Sequence, residues 1–137
     1  MRHHEKRTLA HFSERYAIPT GDVNAQIEQA VLGAAWGANG YTTVAQADEL
    51  HRRLQLTPDS LLLDFGSGRG WPGLYLAQRS GCSVVCSDMP MPALAVVAQR
   101  AAAENMSDRV CVVSASAAEQ PFPPATFDAI VHTDVMC

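Results

Sequence analysis

The residues with the most chemical promise lie in one short run, Asp64-Phe65-Gly66-Ser67-Gly68-Arg69-Gly70. Glycines at alternate positions allow a sharp turn and let a ligand lie against the backbone without meeting a Cβ. The run follows a short apolar stretch, Leu61-Leu62-Leu63, and precedes a segment that reads as a helix opening at Pro72. A helix start there would turn unpaired N–H groups and a positive dipole end toward a carboxylate or phosphate. A second signal is Asp88, which lies twenty residues past Gly68 and ends the next apolar run. A carboxylate in that place accepts hydrogen bonds from vicinal ribose hydroxyls. Together the two signals call for a nucleoside-containing ligand.

Two details narrow the ligand. A dinucleotide fingerprint needs a glycine three positions after its second glycine, and counting from Gly68 that position is Trp71. Counting from Gly70 it is Gly73, but the motif then slides into the helix. A Trp where helix and strand must pack closely opposes a nicotinamide cofactor. Asp64, two residues before Gly66, suits a cationic amino group and would be badly placed beside a pyrophosphate. A cofactor with an amino-acid end and a ribose end, S-adenosylmethionine, fits both.

The other reactive side chains carry less. Cys82 and Cys86 look like a metal pair, but in a strand their Cα atoms stand about 13 Å apart, too far to share one ion. With Cys111 and Cys137 they read as small apolar residues, three of the four set in apolar runs. His3, His4 and His11 have no carboxylate or cysteine at ligand spacing and read as solvent-exposed. No metal site is expected.

The elements that must position the run follow from periodicity. Residues 1–19 form a weakly patterned helix that stops before Pro19. Thr20 or Asp22 can cap a helix through Ala34 with Val23, Ile27, Val31 and Ala34 on a buried face. The chain breaks over residues 36–40, and Thr43 caps a helix from Val44 to Leu54. From Ser60 the pattern alternates: strands at 61–63, 83–87, 110–113 and 127–132, with helices at 72–80 and 93–105. This predicts an α/β fold with a parallel sheet ordered 3-2-1-4, its ligand edge at the switch between strands 1 and 4. The chain divides into a helical cover, 1–59, and a Rossmann-like domain, 60–137.

Composition sets the class. The 137 residues are 47% hydrophobic and 18% charged, with ten Lys and Arg against fourteen Asp and Glu. A net charge of −4 opposes a nucleic-acid binder working through bulk electrostatics. No apolar run is long enough to span a bilayer and no signal-peptide core is evident, so the expected location is the cytoplasm, with no membrane partner.

LLLDFGSGRG resembles motif I of the class I S-adenosylmethionine-dependent methyltransferases, and VVCSDMP resembles motif II. The segment ASAAEQPFPPATFD, Ala115 to Asp128, is similar to the family's GDAxxLPFPDxSFD, with Ser116 in place of the acidic residue. FDAIVHTDVMC matches the fourth strand and its exit. Within the family the chain most resembles the small-molecule branch of ubiquinone/menaquinone-type methyltransferases.

The resemblance implies roles. Gly66, Ser67 and Gly68 would cradle the methionine part. Asp64 would orient its ammonium, directly or through water. Asp88 would grip the ribose and Met89 cover one adenine face, with Ser116 and Ala117 at the adenine rim. His132 and Thr133 would lie near the sulfonium and the acceptor, His132 as the candidate base. Tyr41 and Thr42 would close the pocket from the cover. Methyl transfer to a small-molecule acceptor is the implied reaction. A non-catalytic S-adenosylmethionine-binding module and a nicotinamide-dependent oxidoreductase are the alternatives. The family fold has seven strands, and strands 5–7 are missing here. The sequence then reads as a piece of a longer protein, or as one whose strand 4 edge is covered by another chain, so self-association through that edge is expected.

Overall fold

The computed structural model describes residues 3–38 and 40–135. Three helices come first: α1 (His3–Ala17), α2 (Asp22–Leu32) and α3 (Val44–Leu54). Then strand and helix alternate: β1 (Leu61–Phe65), α4 (Gly73–Ser80), β2 (Ser83–Asp88), α5 (Met91–Ala103), β3 (Val110–Ser114) and β4 (Ala129–Val131). All pairings are parallel and the order is β3-β2-β1-β4, as the sequence predicts. The described residues thus supply four of the seven strands of the family fold.

The central strands read apolar because both faces are covered. Leu62, Val84 and Cys86 of β1 and β2 join Leu74, Leu76 and Ala77 of α4 and Val97 and Ala101 of α5 in one core. Register places Asp64 opposite Cys86 and Val131, and Asp88 opposite Ser114, so both carboxylates emerge at the carboxyl ends of neighbouring strands.

Helix ends follow local chemistry. Thr43 and Gln46 form a reciprocal capping box at the start of α3. Gly33 ends α2 in the left-handed region at φ 86°, its N–H on Gln29 O, so the helix stops two residues before the expected Ala34. At its other end the cap position is Gly21, without a side-chain cap, rather than Thr20 or Asp22. β4 is shorter than the expected 127–132 because the Asp128 carboxylate takes over at its start: Oδ2 accepts the Leu61 N–H at 2.7 Å.

Two expectations about burial are corrected. Val23, Ile27 and Val31 do not face the core; they are 68%, 56% and 63% exposed. α2 instead turns Glu28 and Leu32 inward, because the Glu28 carboxylate accepts the N–H groups of Trp36, Gly37 and Ala38 at 2.8–3.0 Å. Cys82 and Cys86 are buried free thiols, but Cys111 is exposed, because β3 is an outer strand with a solvent face. Cys137 lies outside the described residues. Among the described residues no His, Cys, Asp and Glu cluster could hold a metal, and no helix is long and apolar enough to cross a membrane.

Candidate functional site

The glycine-rich run curls over the end of β2. Gly66 N and Ser67 N both donate to Ser87 O, and Gly70 N closes a turn onto Ser67 O at 2.8 Å. Gly66 and Gly68 have φ of 74° and 50°, a region most side chains avoid. Space demands glycine as well: a Cβ on Gly66 would strike Val135, and one on Gly68 would lie 2.8 Å from the Tyr16 hydroxyl. The missing Cβ atoms therefore let α1 and the loop after β4 press onto the turn, where the sequence pointed only to ligand approach.

Two carboxylates fix this turn from opposite sides. Asp88 accepts the Gly68 N–H on Oδ2 and the Met89 N–H on Oδ1, both at 2.7 Å. Burial pushes its carboxyl up, against these two bonds, which pull it down. Asp64, 1% exposed, accepts the Gly73 N–H at 2.8 Å and so anchors the first turn of α4. Burial pushes the Asp64 carboxyl to about 7; the Gly73 bond opposes this and the charge of Asp88 adds to it.

Above the turn lies a cavity of about 250 Å³. Its floor is Phe65 to Arg69 with Ser87, Asp88 and Met89; Ala115, Ala117 and Gln120 close one end, and Thr133 to Val135 the other. Thr8, Leu9, Phe12 and Tyr16 of α1 form a wall, and Ala38, Gly40, Trp71 and Pro90 complete the lining. The Ser67 hydroxyl is buried at this floor, with the Cys86 thiol as its polar neighbour. Residues 62–137, more than half of the chain, match the family described as methyltransferase domain.

The chain belongs to that family. The methyltransferase GfsG of Streptomyces halstedii is 31% identical over 83 residues, which cover 61% of this chain and 30% of GfsG. A geranyl diphosphate methyltransferase solved in complex with SAM superposes with a TM-score of 0.62 at 27% identity, over 77% of this chain and 46% of that one. A SAM-dependent methyltransferase from Geobacter sulfurreducens, solved with S-adenosyl-L-homocysteine, gives 0.55 at 26%, over 73% and 37%. The chain spans less than half the length of each.

Of the site residues expected from sequence, the methyltransferase domain brings Gly66, Ser67, Gly68, Asp88, Met89, Ala117 and Thr133 together around the cavity. Asp64 lies beneath the floor. Ser116 sits just outside, its hydroxyl accepting the Ala118 N–H and donating to Glu5 at 3.4 Å. His132 is exposed and does not line the cavity. Tyr41 is 83% exposed and lines a neighbouring groove instead, while Asp134 Oδ2 accepts the N–H groups of Tyr41 and Thr42. Trp71, which the sequence marks as a packing residue and an obstacle to a dinucleotide, is buried at the cavity's edge, donates Nε1 to Thr42 O at 2.8 Å and stands between Trp36 and Tyr75. Sequence reasoning missed α1 as a wall and Arg69, Gln120, Asp134 and Val135 as lining. The fragment Gly68-Arg69-Gly70 was the available signal for Arg69, a long cation set inside a glycine turn.

Proposed function

We propose that this domain binds S-adenosylmethionine in the cavity above the glycine turn and belongs to an enzyme that methylates a small-molecule acceptor. The observation that carries this reading is Asp88 at the cavity floor. Each of its oxygens holds one backbone N–H and keeps a further lone pair for a ribose hydroxyl. The relatives solved with SAM and S-adenosyl-L-homocysteine support the same cofactor.

In this reading Gly66 to Gly68 receive the methionine part, Asp88 the ribose, and Met89 and Ala117 the adenine. Asp64 acts from beneath, by holding Gly73 and with it the start of α4. When bound, the cofactor supplies a methyl group on a sulfonium for in-line transfer. The chain's own work is to orient it and to exclude water, with α1 as roof. The acceptor would approach from the groove lined by Ile18, Ile27, Val31 and Tyr41, which adjoins the cavity across Tyr16, Ala38 and Gly40. We propose the ubiquinone/menaquinone-type branch on sequence resemblance alone. A second reading, a binding module without turnover, is favoured by the exposed position of His132 outside the cavity.

Calorimetric titration with S-adenosylhomocysteine, with NADH in parallel, tests the cofactor. Binding of the first alone is expected. Binding of NADH alone would overturn the reading.

A further inference from the structure

Arg69 follows Gly68 directly, yet its side chain serves three other segments. Nη2 donates to the carbonyls of Tyr16 at 3.0 Å and Ile18 at 2.7 Å, at the open carbonyl end of α1. Nη1 donates to Thr20 Oγ1 at 2.9 Å, in the turn to α2, and reaches Gly37 O at 3.4 Å, in the loop after α2. The guanidinium carbon also lies 5.2 Å from the centre of the Tyr16 ring. The backbone of Arg69 is itself fixed: its carbonyl accepts Arg100 Nη1 at 2.6 Å, and the preceding Gly68 N–H is held by Asp88.

α1 supplies Thr8, Leu9, Phe12 and Tyr16 to the cavity wall, so whatever sets the position of α1 sets the roof of the site. The cavity is about 250 Å³, close to the lower end of small-molecule sites, so a nucleoside-sized ligand in it would lie directly against this wall.

We propose that Arg69 is a positioning residue that latches α1 over the cavity, so that release of the cofactor is governed by this side chain. The proposal rests on the cofactor reading given above. A planar guanidinium reaches acceptors on three segments at once, whereas the point charge of a lysine reaches fewer. The latch is charge-assisted on the protein side and uses carbonyls and a hydroxyl, so it has no titrating partner among these contacts.

The test compares wild type with Arg69→Ala, Arg69→Lys and Thr20→Val. Hydrogen exchange is measured without ligand, and S-adenosylhomocysteine association and dissociation by stopped flow. In Arg69→Ala, α1 amides are expected to exchange roughly tenfold to a hundredfold faster, with β1 and β2 within about twofold of wild type. Dissociation should accelerate by roughly tenfold or more and association change by less. Arg69→Lys should recover only part of the loss, and Thr20→Val should show a smaller rise in the same amides. Unchanged α1 exchange in Arg69→Ala, or full recovery in Arg69→Lys, overturns the latch. So does loosening of every element in Arg69→Ala together with unchanged α1 exchange in Thr20→Val. Should wild type bind no S-adenosylhomocysteine, the cofactor reading falls, and the exchange of α1 in ligand-free protein still decides the latch.

Discussion

Replacing Asp64 by Asn isolates a carboxyl that the fold keeps out of water. The side chain is 1% exposed and accepts the Gly73 N–H at 2.8 Å. Asn retains an oxygen for that bond and cannot ionise. Burial raises the carboxyl from 3.8 to about 7, so between these values the folded chain holds a proton that the unfolded chain has lost. Stability contributed by the protonated form is therefore complete below about pH 4 and is lost as pH rises toward 7. At roughly 1.4 kcal/mol per pH unit the loss is on the order of 4 kcal/mol. Urea unfolding of both proteins from pH 4 to 8.5 reads it. Asp88, raised in the same direction, contributes equally to both curves and cancels in their difference. The extra N–H of Asn adds a cost that does not vary with pH, so the decisive quantity is the slope. Asp64→Asn should gain on wild type steadily up to about pH 7 and hold the gain above it. Parallel curves would show that Asp64 is not a buried neutral acid, and the account of the turn's underside would fail.

Other expected outcomes follow from single contacts. Asp88→Ala removes the acceptor of Gly68 and Met89 N–H groups and of the proposed ribose contact; S-adenosylhomocysteine binding should weaken by about 1–3 kcal/mol by calorimetry. Unchanged affinity would take the ribose away from Asp88. Trp71→Phe keeps the ring beside Trp36 and Tyr75 but orphans Thr42 O, and should cost roughly 1–2 kcal/mol in urea unfolding; a stability equal to wild type would show the bond to be idle. Ile130, 58% exposed on β4, lies on a strand paired on one side only among the described residues. Ile130→Lys should lower self-association in sedimentation velocity, and a monodisperse wild-type monomer would remove the edge from consideration.

The sheet was readable because its signals are local and mutually consistent. Short apolar runs, intervening helical periods and the glycine turn fix strand identity, and parallel crossovers then allow few orders. The floor was readable for the same reason: Gly66, Gly68 and Asp88 occupy places dictated by β1 and β2 themselves. The cover was less so. The stripe Val23-Ile27-Val31 has the right period for a buried face, but period does not say which neighbour a face meets. Glu28 decided the orientation of α2 by finding three N–H groups eight to ten residues further along the chain, in the loop after the helix, at Trp36, Gly37 and Ala38. Cys111 misled because β3 has the composition of a central strand and the location of an outer one. For Asp64 the sequence suggested an ammonium ligand; that its carboxylate also accepts the Gly73 N–H depends on how α4 packs on β1, which spacing along the chain does not show.

The two carboxylates divide the work of one turn. Asp64, next to last in β1, holds the first residue of α4; Asp88 ends β2 and holds Gly68 at the crest. With its far end and its middle both tied to the sheet, the backbone from Gly66 to Gly70 is shaped before any ligand arrives, so binding need not spend free energy on ordering it. α1 is held differently: it packs along α5, Ser116 donates to its Glu5, and the Arg69 fork holds its carboxyl end. No strand carboxylate ties its backbone in the way that Asp64 and Asp88 tie the turn, so floor and wall rest on different contacts. On the proposed reading, Asp88→Ala is then expected to act mainly on affinity and Arg69→Ala mainly on residence time, and finding both effects in either variant alone would refute that division.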